Sequence, residues 1–442
     1  MVNLEKIDNK RPKIGLISLG CPKALVDSEK ILTSLTHNGY LINKDHKNSD
    51  LVIVNTCGFI DSAKEESINT ITSSLNENGK VIITGCLGND KKTIKKFSDK
   101  VLSISGPSEI NKVLRTVQKT FPQQKKPLRN FLSPTGIKLT PKHYSYLKIS
   151  EGCNHTCKFC IIPKLRGKLK SRKIEDILYE AKNLVDNGTK ELLVISQDTS
   201  AFGVDFKKFK VKDKTNIIEL CKLLGELGIW VRLHYLYPYP HVTKIIPLMA
   251  ENKILPYLDI PFQHSHPEVL LRMQRPARRG NILKLIEEWR KIKPNLTIRS
   301  TFIVGYPGET EDEFQHLLDW LEEAQLDRVG CFKYENVEGA RANHLSEHLP
   351  DFIKQDRWTR FMIKAQEISE KKLSKKIGTV QEVIVDEVDD KGAICRTKGD
   401  APQIDGNLFI DKYFENLKQG QILNVKVDES NEYDLWGKII KK

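Results

Sequence analysis

Glu151-Gly-Cys153-Asn-His-Thr-Cys157-Lys-Phe-Cys160 gathers three of the chain's nine cysteines into one short run. Thiolates are soft ligands that select iron–sulfur clusters, zinc or copper(I). Ferredoxin-type clusters normally take four thiolates, yet no fourth cysteine lies near this run. Three thiolates would hold three irons of a cubane and leave the fourth iron open to a substrate or cofactor. A closed alternative is a structural zinc completed by His155, since three cysteines and a histidine make a normal tetrahedron. Zinc fingers, however, usually pair their ligands as C-x2-4-C and H-x3-5-H, and this spacing does not match.

Upstream, short apolar runs at Lys13–Gly20, Leu51–Thr56 and Val81–Gly85 alternate with helical patterns, one of them around Ser28–Leu35. Strand-helix-strand repetition predicts a parallel sheet. Cys21, Cys57 and Cys86 each fall at the carboxyl end of one of these strands, and each touches a glycine, Gly20, Gly58 or Gly85. Open parallel sheets bind ligands beyond their strand carboxyl ends. Glycine lets backbone turn sharply and approach a cluster closely. A second metal cluster is expected there; the plain alternative is three unrelated core cysteines. Cys221, Cys331 and Cys395 lie in apolar surroundings within predicted elements and read as buried small hydrophobes.

Downstream, residues 120 to 143 are rich in Pro, Lys and Gln and read as a linker. Six strand candidates follow, Tyr146–Ser150, Leu192–Ser196, Val231–Tyr235, Tyr257–Ile260, Ile298–Val304 and Val329–Tyr334, with helices between them and a long polar helix from about Phe352 to Lys376. Six βα units predict a partial barrel, with the compact motif in the loop after the first strand, on the face where barrel enzymes place their chemistry. From Gly378 on, short Val- and Ile-rich runs broken by Asp-Asp-Lys-Gly392, Ile-Asp-Gly406 and Lys-Gln-Gly420 predict a small antiparallel barrel of about five strands. The expected fold is therefore α/β, with a parallel α/β domain at 11–125, a partial (βα)6 barrel at 139–376 and a small β-barrel at 377–442.

The compact spacing resembles the signature of the radical S-adenosylmethionine superfamily, in which one electron from the cluster cleaves the cofactor to a 5'-deoxyadenosyl radical. The last segment looks like a TRAM domain, an OB-like module. With both cysteine sets, these features are similar to the methylthiotransferases over essentially the whole chain. That resemblance implies two 4Fe-4S clusters, a radical cluster on Cys153, Cys157 and Cys160 and a sulfur-carrying cluster on Cys21, Cys57 and Cys86. It implies two S-adenosylmethionine molecules, one the methyl donor and one the radical source, and an electron donor such as flavodoxin. Ile303-Val-Gly-Tyr-Pro-Gly-Glu309 resembles the segment that lies along the cofactor, so Gly305 and Glu309 are expected cofactor contacts. Gln197, ending the second barrel strand, would reach the methionyl amino group. Arg166, in the basic run Pro163–Lys173, would meet a cofactor or substrate carboxylate, because guanidinium binds carboxylates bidentately. A Pro-Gly turn, a packing role and a solvated basic face are the respective plain alternatives. Radical chemistry needs a dry pocket, which a barrel mouth capped by the two flanking domains would provide.

Two substrate classes divide this family, a protein aspartate and a tRNA adenosine. Ser18-Leu-Gly-Cys-Pro-Lys23 with Leu25-Val-Asp-Ser-Glu29, Ile195–Ser200, Tyr235–Pro238, Leu258–His264 and Ala401–Gly406 resemble the branch that methylthiolates the β-carbon of an aspartate in the twelfth small-subunit ribosomal protein. Ala24 and Ser265-His266 depart from that branch's usual residues, but neither position is a cluster ligand. Charge points the same way. The chain carries +14, but residues 377–442 hold thirteen Asp and Glu against nine Lys and Arg, a net of −4. An acidic module repels a tRNA backbone and suits a basic ribosomal protein, so direct nucleic-acid binding is not required. The rivals are the same chemistry on a tRNA adenosine and, from another class, a non-catalytic metal-cluster protein that binds ribosomes or RNA. No apolar run approaches the ~18 residues of a membrane span, so no membrane association is expected. The start lacks a secretory pattern, and a cytoplasmic location is expected.

Overall fold

The computed structural model describes residues 11–122, 136–209, 216–275 and 282–440; the centre of the expected linker lies outside them. The chain forms two compact units. The first comprises residues up to Thr140 together with Glu151–Asn154 and Ile161–Leu169, and the second holds the remainder.

In the first unit, strands β1 (Lys13–Ser18), β2 (Leu41–Asn43), β3 (Leu51–Thr56), β4 (Val81–Gly85) and β5 (Ser103–Ile104) form one parallel sheet in the order β2-β1-β3-β4-β5. The sequence showed three of these strands; β2 and β5 are short edges of three and two residues with too little apolar content to stand out. Every residue of β3 and β4 is buried, as expected for strands covered on both faces. Leu51, Ile53 and Ile82 pack on one side with Ile31, Leu35 and Val113. Val52, Val54, Val81 and Ile83 pack on the other with Ile71. The strand order reverses between β1 and β3, and open sheets bind ligands at such a switch point. Cys21 and Cys57 follow those two strands.

In the second unit, β6 (Tyr144–Lys148), β9 (Glu191–Ile195), β10 (Trp230–Leu233), β11 (Tyr257–Asp259), β12 (Thr297–Val304) and β13 (Arg328–Lys333) make a six-stranded sheet in sequential order, all parallel; β7 (Ser150–Glu151) and β8 (Lys170–Ser171) are short extended pieces. This is the expected partial barrel, and its core runs from Leu147 and Val194 through Leu258 and Phe302 to Phe361. The last helix spans Asp351–Ser374. Cys221 sits in this core and Cys395 in that of the terminal barrel, and burial pushes both thiols up to about 12.

Strands β14 (Val380–Val388), β15 (Ala393–Thr397), β16 (Leu408–Ile410), β17 (Ile422–Ser430) and β18 (Leu435–Ile439) close into a five-stranded barrel. One pairing differs from the expected antiparallel pattern, since β16 runs parallel to β18 and so closes the barrel. The small barrel engages the start of the central strands. Glu191, the first residue of β9, pairs with Arg396 at 2.7 Å and with Arg232 at 2.7 Å. Arg396 also holds Asp386, which accepts from His143, just ahead of β6. Tyr257 Oη donates to Asp405 at 2.7 Å, Arg328 donates to Asp400 at 2.9 Å, and Trp230 and Tyr257 pack on Ile384 and Ala401. The module therefore covers the amino-end face of the barrel, where residues serve stability. The expectation that it caps the mouth is corrected: Asp400 and Asp405 hold arginines near the strand starts, at the opposite end.

Candidate metal centres

Cys21 is the N-cap of the helix Pro22–His37, with proline at the first helical position. Pro suits that place because its missing N–H would be unpaired anyway. The helix end favours negative charge. Burial works to raise the Cys21 thiol, but Lys23, Arg166 and the Ala24 and Lys23 N–H groups outweigh it and lower the thiol overall. Cys21 nevertheless keeps an exposed face. Burial raises Cys57, against the opposing N–H groups of Phe59 and Gly58. Burial pushes Cys86 up to about 11, with Arg166 pulling the other way. Cys57 feels the charge of Cys21, and Cys86 that of both, so the sheet draws together what the sequence spreads over three strand ends.

Two glycines permit this convergence. A Cβ on Gly20, at φ +91°, would stand 3.2 Å from Cys57 Sγ. Gly85, at φ 93° and ψ −166°, occupies a region reserved for glycine, and a Cβ there would meet Asn55 Oδ1 at 2.4 Å and Thr56 O at 2.5 Å. Asn55, which the sequence did not single out, ties the site to the helix by donating to Ala24 O and Ser28 Oγ, both at 2.8 Å. Among the described residues no three His, Cys, Asp or Glu are gathered as for a single metal ion. A cubane presents a separate iron to each thiolate, so its ligands stand further apart. Three soft thiols at a glycine-lined switch point fit a cluster of this kind.

In the compact motif, Cys153 belongs to the first unit, where its N–H donates to Gly167 O at 3.0 Å. Cys157 and Cys160 belong to the second. Buried Cys157 Sγ accepts from Arg275 Nη1 at 3.7 Å, and Arg275 lies 4.2 Å over the Tyr237 ring. Tyr237 stacks on His155 at 4.2 Å. His155 Nε2 is 2.8 Å from Asp198 Oδ2 and 2.9 Å from Tyr239 Oη. That nitrogen is committed to a carboxylate and a phenol. Arg275 and Tyr239 were not singled out in the sequence, and Asp198 and Tyr237 stood in the stretches Ile195–Ser200 and Tyr235–Pro238 without a site role. A buried guanidinium donating to sulfur suits a thiolate-held cluster.

Gln197 lies half-buried two residues beyond β9, at the carboxyl-end face. Gly305 follows β12 at φ +73°, and a Cβ there would collide with Lys354 Cγ at 2.5 Å. Glu309 turns inward. It is 2 % exposed, accepts from the Gly305 N–H on both oxygens at 3.1 Å, and pairs with Arg357 at 2.7 Å. Burial raises its carboxyl despite Arg357. Beside it His264, 3.6 Å away, is held well below the usual imidazole range by burial and stays neutral. Glu309 thus folds back onto its own turn, Gly305–Gly308. Arg166 is buried in the first unit and donates from Nη1 to Glu151 at 2.9 Å and Asp27 at 3.3 Å.

Three families match in succession along the chain: the uncharacterized protein family UPF0004 over residues 13–106, the radical SAM superfamily over 147–321 and the TRAM domain over 377–440. The ribosomal protein uS12 methylthiotransferase RimO of Roseobacter denitrificans is 60 % identical, over 97 % of this chain and 94 % of its own. That of Ruegeria pomeroyi is 59 % identical over the same shares. The chain belongs to the uS12 methylthiotransferase family. As a methylthiotransferase it works by radical chemistry with an iron–sulfur cluster and S-adenosylmethionine. Among solved structures, the radical S-adenosylmethionine methyltransferase TsrM from Kitasatospora setae, with cobalamin and a [4Fe-4S] cluster bound, has a TM-score of 0.52 at 12 % identity, covering 73 % of this chain and 75 % of that one. That likeness is one of fold. Among the described residues of the methylthiotransferase, no helix is long and apolar enough to cross a membrane.

Proposed function

We propose that the protein methylthiolates the β-carbon of one aspartate in ribosomal protein uS12. Cys153, Cys157 and Cys160 would hold a radical 4Fe-4S cluster, and Cys21, Cys57 and Cys86 a second cluster that carries sulfur. The observation that carries this reading is identity of about three residues in five with uS12 methylthiotransferases over nearly the full chain. When bound, the clusters and two S-adenosylmethionine molecules supply the one-electron chemistry that breaks a carbon–hydrogen bond and the sulfur and methyl that replace the hydrogen.

The chain's own residues do the rest. The Gly305–Gly308 turn, held open by Glu309 and Arg357, presents bare backbone along which the cofactor would lie, with Gln197 near its methionyl end. Arg275 donates to Cys157 and fixes one ligand of the radical site. Tyr237, Tyr239, His155 and Asp198 form an aromatic wall with a buried carboxylate, which orients groups and excludes water. A flavodoxin-type donor would supply electrons in the cytoplasm.

An anaerobic assay with S-adenosylmethionine and dithionite, offering uS12 or a tRNA anticodon-loop oligonucleotide, tests the reading by mass spectrometry. A methylthio gain on the uS12 aspartate alone is expected. A gain on the RNA alone would overturn the substrate assignment.

A further inference from the structure

Arg166 ends a short helix. Its helix, Ile162–Arg166, belongs to the amino-terminal unit and is tied to the turn that begins at Cys86, because Asn89 Nδ2 donates to Leu165 O at 2.6 Å. The next residue, Gly167, accepts the Cys153 N–H. The guanidinium is 6 % exposed. Nη1 serves two carboxylates, Glu151 and Asp27, at 2.9 and 3.3 Å. Nη2 is buried and has no hydrogen-bond partner of good geometry among the described residues. The group nevertheless stands close enough to Cys86, Cys21 and Cys57 to favour the thiolate at each. A buried donor is not left unused without cost.

We infer that Arg166 is a positioning residue of the amino-terminal sulfur site, its unshared Nη2 donating to the sulfur gathered by Cys21, Cys57 and Cys86 while Nη1 is held by Asp27 and Glu151. The inference rests on the proposal that these cysteines hold a cluster. Hydrogen bonds to the sulfurs and local net charge set cluster potentials, and the outer partners of a site orient its ligands. Arginine suits the task better than lysine, because its rigid fork serves carboxylates with one nitrogen and sulfur with the other. Without it, Asp27 and Glu151 would lose the guanidinium they share. The segment just past the compact motif thus completes the dispersed site.

The test is a potentiometric titration, followed by electron paramagnetic resonance, of the full chain carrying Cys153→Ala, Cys157→Ala and Cys160→Ala, in which only the amino-terminal iron remains. Iron and sulfide content are measured first. If that protein binds no iron that Cys57→Ala removes, the two-cluster reading fails, independently of Arg166. With iron present, Arg166→Gln is expected to move the midpoint potential to more negative values and Arg166→Lys to move it less. Asp27→Asn is expected to move it the opposite way, a sign reversal that a purely structural pair would not produce. Loaded iron with an unshifted potential in Arg166→Gln overturns the inference. If that variant loses its iron, the same criterion is applied to Arg166→Lys. If both lose it, an unshifted potential in Asp27→Asn overturns the inference and a positive shift supports it.

Discussion

The two cysteine sets reach their sites by opposite routes. Cys153, Cys157 and Cys160 are delivered by one loop whose spacing is fixed by the chain itself, whereas Cys21, Cys57 and Cys86 meet only after three parallel strands have paired. The cross-links also differ. The amino-terminal sheet is tied behind its thiols mainly by neutral groups, Asn55, Ser28 and Ser18, and Thr84 with Ser105, beside one buried cation, Arg166, shared by Asp27 and Glu151. The catalytic unit is cross-linked by buried ion pairs, Glu191 with Arg232 and Arg396, and Asp259 with Arg299. A dispersed site is therefore as durable as its sheet, while a contiguous site needs its sheet mainly for support.

The strongest way to break this comparison is to remove one ligand from each set. Cys57→Ala and Cys157→Ala should each lose roughly half the bound iron if each set holds one cluster. Cys157→Ala should abolish 5'-deoxyadenosine release, while Cys57→Ala should keep it and yield no methylthio product. Equal loss of cleavage in both would erase the distinction.

Acid should separate the two units next. Flanking arginines hold the Glu191 carboxyl down to about 2 against its burial, and His234 with Arg299 does the same for Asp259. A depressed carboxyl contributes stability above its unfolded value, and that contribution is lost as pH falls through the folded value. From a drop of 4.5 to about 2, Glu191 contributes on the order of 3 kcal/mol at neutral pH. The loss should fall between about pH 4.5 and 2. All five tryptophans, Trp230, Trp289, Trp320, Trp358 and Trp436, lie in the catalytic unit, so their fluorescence in urea reports this loss. Hydrogen exchange in Leu51–Thr56 should change less over the same interval, and Glu191→Gln should flatten the fluorescence profile.

Gly85→Ala strikes the dispersed site alone. It forces a side chain into a glycine-only conformation at a cost of about 1–3 kcal/mol, and it should reduce iron bound through Cys86 while 5'-deoxyadenosine release persists. Ser28→Ala is the mildest probe. It removes one of two acceptors of the Asn55 amide and should cost about 1 kcal/mol in chemical denaturation without loss of iron. A loss of iron in Ser28→Ala would mean that the thiols depend on the helix position more finely than the geometry suggests.

The parallel sheet was legible because β3 and β4 are runs of buried apolar residues that no alternation obscures. The six barrel strands were legible for a similar reason, with ends shifted by one or two residues. The compact motif needed only its spacing. What stayed hidden depends on tertiary approach. Asn55 and Arg275 are ordinary polar residues until the fold sets them beside Ser28 and Cys157. Glu309 occupies the expected turn, but nothing in its neighbours reveals that its carboxylate folds back onto Gly305. Arg166 sat in a run of six cations, and its burial between Asp27 and Glu151 has no linear signature.

The ion pairs under the central barrel bear on how far the closing module is interchangeable. Asp386 answers His143, Asp400 answers Arg328, and Asp405 answers both Arg299 and Tyr257. Gly406 sits where any side chain would strike Tyr433 O, so the contact loop has little room to vary. A graft of another TRAM module would have to reproduce this acidic register or leave Glu191 and the arginines stranded in a dry seam, where an unmatched charge is strongly destabilising. The small barrel is in this sense a keyed foundation, to be inherited or replaced only together with the strand starts that rest on it.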